Sequence, residues 1–258
     1  MRHLRFGPAI ALGLAAGLLA GCGAGERDDT LTVFAAASLV DVLPKVAAAW
    51  KEAGGGQVRF SWGATSKLVP QVIDGAPADL LFSADEAWMD RLDSAGMVEP
   101  GTRTLVAGNR LVVVVPASGR AVVEEPDDLA GPAVGSIALA GETVPAGRYG
   151  KAALSSLGIW PAVESKIRWG DDVRVALRWA ALDETDAAIV YRSDAIAEPR
   201  VRIALELPES SHPAIVYPAA VVRGSPRADA ARQLLEFSGS PAARIIFEGD
   251  GFAPVGLR

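Results

Sequence analysis

At four places in this 258-residue chain, small or hydroxyl-bearing residues separate a strand-like run from a helix-like one. They are Ala37-Ser38, Ala64-Thr65-Ser66, Pro145-Ala146-Gly147 and Asp172-Val173. The first turn of a helix leaves backbone N–H groups without intrahelical acceptors and carries the positive end of the helix dipole. Serine and threonine add hydroxyl donors beside those groups. Together they suit an anion held by hydrogen bonds. In open α/β sheets, ligands collect at the carboxyl ends of the strands, where these loops fall. Singly, each loop reads more readily as a plain helix cap. Their recurrence is what points to binding.

The rest of the inventory removes most other chemistry. The chain has one cysteine, Cys22, and two histidines, His3 and His212. No intramolecular disulfide can form, and removal of residues 1–21 as a leader would leave Cys22 and His212, too few for a Cys/His zinc site of three or four ligands. A Ser-His-Asp triad would have to use His212, set in Ser211-His212-Pro213 and read as a loop histidine. No Gly-x-Ser-x-Gly elbow is present. The 31 acidic side chains leave a paired-carboxylate hydrolase open on composition, yet no pair stands out. A net charge of −6 argues against a nucleic-acid partner, which calls for a basic surface.

The amino terminus reads as a leader. Arg2 and Arg5 precede the apolar run Ala9–Ala20, which ends in Leu19-Ala20-Gly21-Cys22. A basic start, a short apolar stretch and small residues at its end make a secretory signal over residues 1–21. The run is short for a membrane span. Leu-Ala-Gly-Cys resembles the lipobox of bacterial lipoproteins, which implies cleavage before Cys22 and a diacylglyceryl group on its sulfur. Residues 22–28 would then be a tether. Cleavage leaves 23 basic against 31 acidic side chains, a net charge of −8.

The elements that must position the loops follow from periodicity. Leu31–Phe34 reads as a buried strand, and a helix follows from Ser38, where Asp41 three residues on makes a capping-box pattern. Pro44 would then cost that helix a hydrogen bond. Residues 57–61 and 78–83 read as strands, 67–73 and 86–94 as helices. Residues 110–116 form the most apolar strand. Further strands are expected at 134–139, 187–191, 201–205 and 215–222. Further helices are expected at 148–157, from Asp171 to about Leu182, and at 228–237 and 241–247. The alternation implies two doubly wound α/β lobes with a cleft between them. Crossings near Gly108–Arg110 and Tyr217–Ala219 would make residues 29–108 plus 218–258 one lobe and 109–217 the other.

Several segments resemble the molybdate-binding proteins of bacterial ABC importers. They are Phe34-Ala35-Ala36-Ala37-Ser38-Leu39, Gly75-Ala76-Pro77-Ala78-Asp79-Leu80, Ser83-Ala84-Asp85 and Val144-Pro145-Ala146-Gly147, with Asp172-Val173-Arg174 and Ile189–Ala195 in the same order. The resemblance runs from about residue 30 to the carboxyl terminus. It implies a type II periplasmic-binding fold, no enzymatic activity and no cofactor, with molybdate or tungstate as the bound solute. Carried over by motif, Ser38, Thr65, Ala146, Val173 and Tyr191 would contact the anion. Relatives often place serine where Thr65 stands, and Ser66 is an alternative source of that hydroxyl. Arg148, Lys151 and Arg174 are expected outside the contact shell. Asp171, Asp172 and Asp194 are expected to cap helices or face away. The implied setting is the outer face of the cell membrane, where the protein, a monomer anchored through Cys22, serves a permease. Another tetrahedral oxyanion, such as sulfate or phosphate, is the same-class alternative.

Overall fold

Residues Leu31–Ala36 form the first strand, β1, and its side chains alternate between two packed faces. Leu31, Val33 and Ala35 enter one apolar cluster and Phe34 another. A strand buried on both faces reads as a continuous apolar run, as this one does. In the computed structural model, which describes residues 29–119 and 121–255 together with His3, the chain continues through α1 (Leu43–Glu52), β2 (Val58–Gly63), α2 (Thr65–Ile73), β3 (Leu80–Phe82), α3 (Glu86–Ser94), β4 (Thr104–Gly108), β5 (Leu111–Pro116) and β6 (Ile137–Ala140). There follow α4 (Pro145–Ser156), α5 (Trp160–Val163), β7 (Ile167–Gly170), α6 (Val173–Ala181), β8 (Ala187–Tyr191), α7 (Arg192–Ile196), β9 (Val201–Glu206), β10 (Val216–Val221), α8 (Ala228–Ser238) and α9 (Pro241–Gly249). Cys22, the expected leader and the tether lie outside the described residues.

Two five-stranded sheets result, ordered β2-β1-β3-β10-β4 and β7-β6-β8-β5-β9. Each is mixed. β1 runs parallel to β2 and β3, while β10 is antiparallel to β3 and β4. In the second sheet β6 runs parallel to β7 and β8, and β5 is antiparallel to β8 and β9. Helices cover both faces of the first sheet. Leu68 and Val72 of α2 and Met89 and Leu92 of α3 pack with Phe34 and Leu81. Val46 of α1, Leu234 of α8 and Phe247 of α9 join the cluster of Val33 and Phe82. In the second lobe α4 and α6 both pack on β6 and β8. Its most apolar strand is β5, next to the central β8, and Leu111 and Val112–Val115 are fully buried. Each such side chain contributes roughly 1.5–3 kcal/mol.

The first crossing between sheets is Asn109–Arg110, between β4 and β5. On the return, Val216 already pairs with Gly108, so the chain re-enters the first sheet before the Tyr217–Ala219 crossing read from the sequence.

The helix expected from Ser38 starts later. Ala37–Leu39 is a single 3-10 turn, and α1 begins at Leu43 with Pro44 in its first turn, where the missing N–H costs nothing. The capping box does not form, because Asp41 turns to Arg174 of the other lobe. α2 begins at Thr65, two residues before its expected start, and Pro70 lies inside it. β4, α5, β7 and α7 have no counterpart among the sequence-based expectations.

Candidate functional site

Strands deliver the site residues at their carboxyl ends. β1 runs into the turn holding Ser38, which is 4% exposed. β2 ends at Gly63, and α2 starts at Thr65 behind Ala64, an N-cap with no side-chain acceptor. Thr65 is buried, and its Oγ1 accepts the Ala84 N–H at 3.1 Å. Its own proton is therefore free to be given elsewhere.

The second lobe repeats the device. β6 leads to α4, where Val144, again unable to cap, precedes Pro145 and Ala146. Pro145 has no N–H to leave unsatisfied, and the next donors are those of Ala146 and Gly147. The start of α4 is pressed against the end of β6. A Cβ on Gly147 would lie 2.1 Å from the Ala140 carbonyl oxygen and 2.2 Å from that of Gly141, so only glycine fits. β7 leads to α6, whose N-cap Asp172 accepts the N–H groups of Arg174 at 2.9 Å and Val175 at 3.0 Å. The Val173 N–H, first in that helix, is left without an intrahelical acceptor.

Tyr191 ends β8. It is 1% exposed, and its hydroxyl has no hydrogen-bond partner among the described residues. Leaving a buried hydroxyl unpaired costs about 1–3 kcal/mol, so this group calls for an acceptor. Burial, reinforced by Tyr217, Tyr149 and the nearby carboxylates, pushes its pKa well above the usual phenol value, so the proton stays in place.

These loops meet around one small cavity between the lobes. Ser38, Thr65, Ala146, Val173 and Tyr191 all line it; Ser66 does not. No lysine or arginine lines it, and its one carboxylate, Asp172, is engaged by its own helix. The nearby cations are engaged by acids. Arg148 pairs with Asp85 at 2.9 Å and Lys151 with Glu142 at 2.6 Å. Arg174 pairs with Asp41 and places its Nε 3.2 Å from Asp194 Oδ1. Asp171 pairs with Lys67. Asp194 is fully buried; burial raises its pKa to about 7 against the lowering effect of Arg174.

Behind Ser38 lies a polar chain that the sequence reading missed. Tyr217 Oη is 3.2 Å from Ser38 Oγ, and Asn109 Nδ2 is 3.1 Å from Tyr217 Oη and 2.8 Å from Ser193 Oγ. The available signal was position: Asn109 sits in the first crossing and Tyr217 next to the return. His212 lies outside the cavity, its ring edge-on to Tyr149 with centroids 6.2 Å apart. Among the described residues, no three His, Cys, Asp or Glu side chains are grouped to hold a metal ion. None of the described helices is long and apolar enough to cross a membrane.

Two mixed α/β lobes closing over a small cavity at their strand ends define a two-lobed receptor for a small solute. Residues 31–253 match the model of the bacterial extracellular solute-binding proteins, and the chain belongs to that family. It is 36% identical to the molybdate-binding protein ModA of Escherichia coli over 258 residues, covering 97% of this chain and 96% of that one. It is 35% identical to ModA of Haemophilus influenzae, over 86% of this chain and 89% of the relative. The periplasmic molybdate-binding protein of Azotobacter vinelandii superposes with a TM-score of 0.80 at 25% identity, covering 88% of this chain and 100% of that structure. The relatives are binding proteins, and the chain is not an enzyme.

Proposed function

We propose that this protein captures molybdate, and tungstate with it, outside the cytoplasm and delivers it to an ABC importer. The observation that carries the reading is the buried Tyr191 hydroxyl, unpartnered among the described residues, at a cavity where α2 and α4 start without side-chain caps. Ser38, Thr65 and Tyr191 give hydroxyl protons, while Ser38, Thr65, Ala146 and Val173 give backbone N–H groups. A fully ionised oxyanion offers only acceptors, so a ring of donors suffices without a countercharge. Hydrogen bonds to a charged partner contribute roughly 1.5–3 kcal/mol each. Five to eight of them, less ordering and desolvation, reach micromolar to nanomolar affinity. The names of the ModA relatives support molybdate as the solute.

Selectivity would rest on size. The metal–oxygen bonds of molybdate and tungstate are longer than the S–O bonds of sulfate, so a shell spaced for the larger ions leaves sulfate with stretched hydrogen bonds. Diacylglyceryl modification of Cys22 would supply two acyl chains, enough to hold the receptor at the membrane beside its permease. Calorimetric titration with molybdate, tungstate, sulfate and phosphate tests the reading. Tight, similar binding of molybdate and tungstate with far weaker sulfate is expected. Sulfate bound as tightly as molybdate would overturn it.

A further inference from the structure

The chain behind Ser38 has a direction, and the direction can be assigned. Asn109 Oδ1 accepts the Arg110 backbone N–H at 2.9 Å, which fixes the orientation of the amide, because a backbone N–H can only donate. The Nδ2 group then faces Ser193 Oγ at 2.8 Å and Tyr217 Oη at 3.1 Å. An amide NH2 has two protons and no free lone pair, so both oxygens must accept. Tyr217 Oη, having accepted, has one proton left, and Ser38 Oγ lies 3.2 Å away. Ser38 Oγ accepts it. The Ser38 proton has to find another acceptor, and Ser38 lines the cavity. Ser38, Asn109, Ser193 and Tyr217 are all buried, which limits competition from water. Thr65 is set the same way by a simpler route, since the Ala84 N–H occupies its acceptor side.

We infer that Asn109 and Tyr217 are specificity-determining positioning residues: they hold Ser38 as a proton donor, so that the site prefers a fully ionised tetrahedral anion over one that carries a proton. The inference rests on the oxyanion reading above and deepens it. A hydrogen phosphate in this cavity would point its O–H at a ring of donors. Of the three cavity hydroxyls, Tyr191 alone has no partner among the described residues, and if it turned to accept, its own buried proton would go unpaired. Size cannot give this discrimination, because sulfate and hydrogen phosphate are nearly the same size and differ by the proton.

Sulfate and phosphate therefore make the test, each titrated by competition with molybdate in mildly alkaline buffer, where both are dianions. Tyr217→Phe removes the donor to Ser38 and lets its hydroxyl rotate to accept. Asn109→Asp reverses the chain: the carboxylate accepts the Tyr217 proton, Tyr217 accepts from Ser38, and Ser38 presents lone pairs to the cavity. The phosphate-to-sulfate affinity ratio is expected to rise about tenfold in Tyr217→Phe and further in Asn109→Asp. A ratio within twofold of the parent in both variants overturns the inference, even if every affinity falls, since hinge damage alone weakens both anions together. Thermal melts check folding. If Asn109→Asp does not fold, Tyr217→Phe, which loses a single oxygen, decides alone. Failure of the parent protein to bind molybdate would sink the proposed function instead, and the ratio would still be read by direct titration of the two anions.

Discussion

The hydroxyls lining the cavity differ in their hydrogen-bond partners, and the variants should separate accordingly. Ser38 already receives a hydrogen bond from Tyr217. Ser38→Ala therefore removes one donor to the ligand and leaves the Tyr217 proton unpaired. Molybdate affinity should fall at least about tenfold by calorimetry; an unchanged value takes Ser38 out of the contact shell. Tyr191 has no partner to strand among the described residues. Tyr191→Phe should weaken molybdate by a similar factor without lowering the melting temperature of the unliganded protein. A clear drop in that temperature would mean that the hydroxyl has a structural partner. Asp194 makes a pH prediction. Its folded pKa, about 7, lies above the ordinary value of 3.8, so the folded state binds more protons than the unfolded state between those limits. Stability from this group falls as pH rises through that window. Asp194→Asn lacks the titration, so its stability relative to the parent should increase from pH 4 to pH 7 in denaturant melts. A flat difference would show that Asp194 titrates normally.

At the scale of elements, the site depends on where helices begin. α4 lies so close to the end of β6 that Gly147→Val must push the helix away from the Ala140 and Gly141 carbonyl oxygens. Overpacking of this kind costs about 1–3 kcal/mol, and it also moves the Ala146 N–H out of the cavity. Both a lower melting temperature and lost molybdate binding are expected; retained binding would mean that Ala146 is no contact. Strands and helices with strong periodicity were readable in the chain. Glu86–Ser94 and Ala187–Tyr191 fall where their patterns put them. β7 is four residues long at a sheet edge, with Arg168 and Trp169 exposed, so it carries almost no alternation to read. The helix start at Ser38 was misread because the partner of Asp41, Arg174, is far away in sequence. Ala146 and Val173 would act through backbone N–H groups, which leave no trace in side-chain chemistry. Resemblance alone singled them out. Asn109 and Tyr217 went unseen because their hydrogen bonds join residues up to 179 positions apart.

Across the whole molecule, contacts between the lobes ring the cavity. Arg148 meets Asp85, Lys67 meets Asp171, Arg174 meets Asp41, and Trp88 Nε1 donates to the Thr143 carbonyl at 3.0 Å. Exposed pairs such as Lys67–Asp171 contribute little, about 0–1 kcal/mol. Asp85 differs: its side chain is 6% exposed, so it is an acid whose partner across the cleft matters. A ligand favours closure only by its differential affinity for the closed form. Whatever weakens closure must therefore weaken binding, in proportion to the population of closed protein. Arg148→Met removes the partner of Asp85 and spares the cap that Asp85 gives to α3 through the Trp88 N–H. Molybdate affinity should fall several-fold, chiefly through faster release, although no residue lining the cavity has changed. Small-angle scattering should show a compact form at saturating molybdate for both proteins, with more ligand needed by the variant to reach it. Unchanged affinity and release rate in Arg148→Met would mean that this bridge does not bias closure, leaving the cavity donors to draw the lobes together unaided.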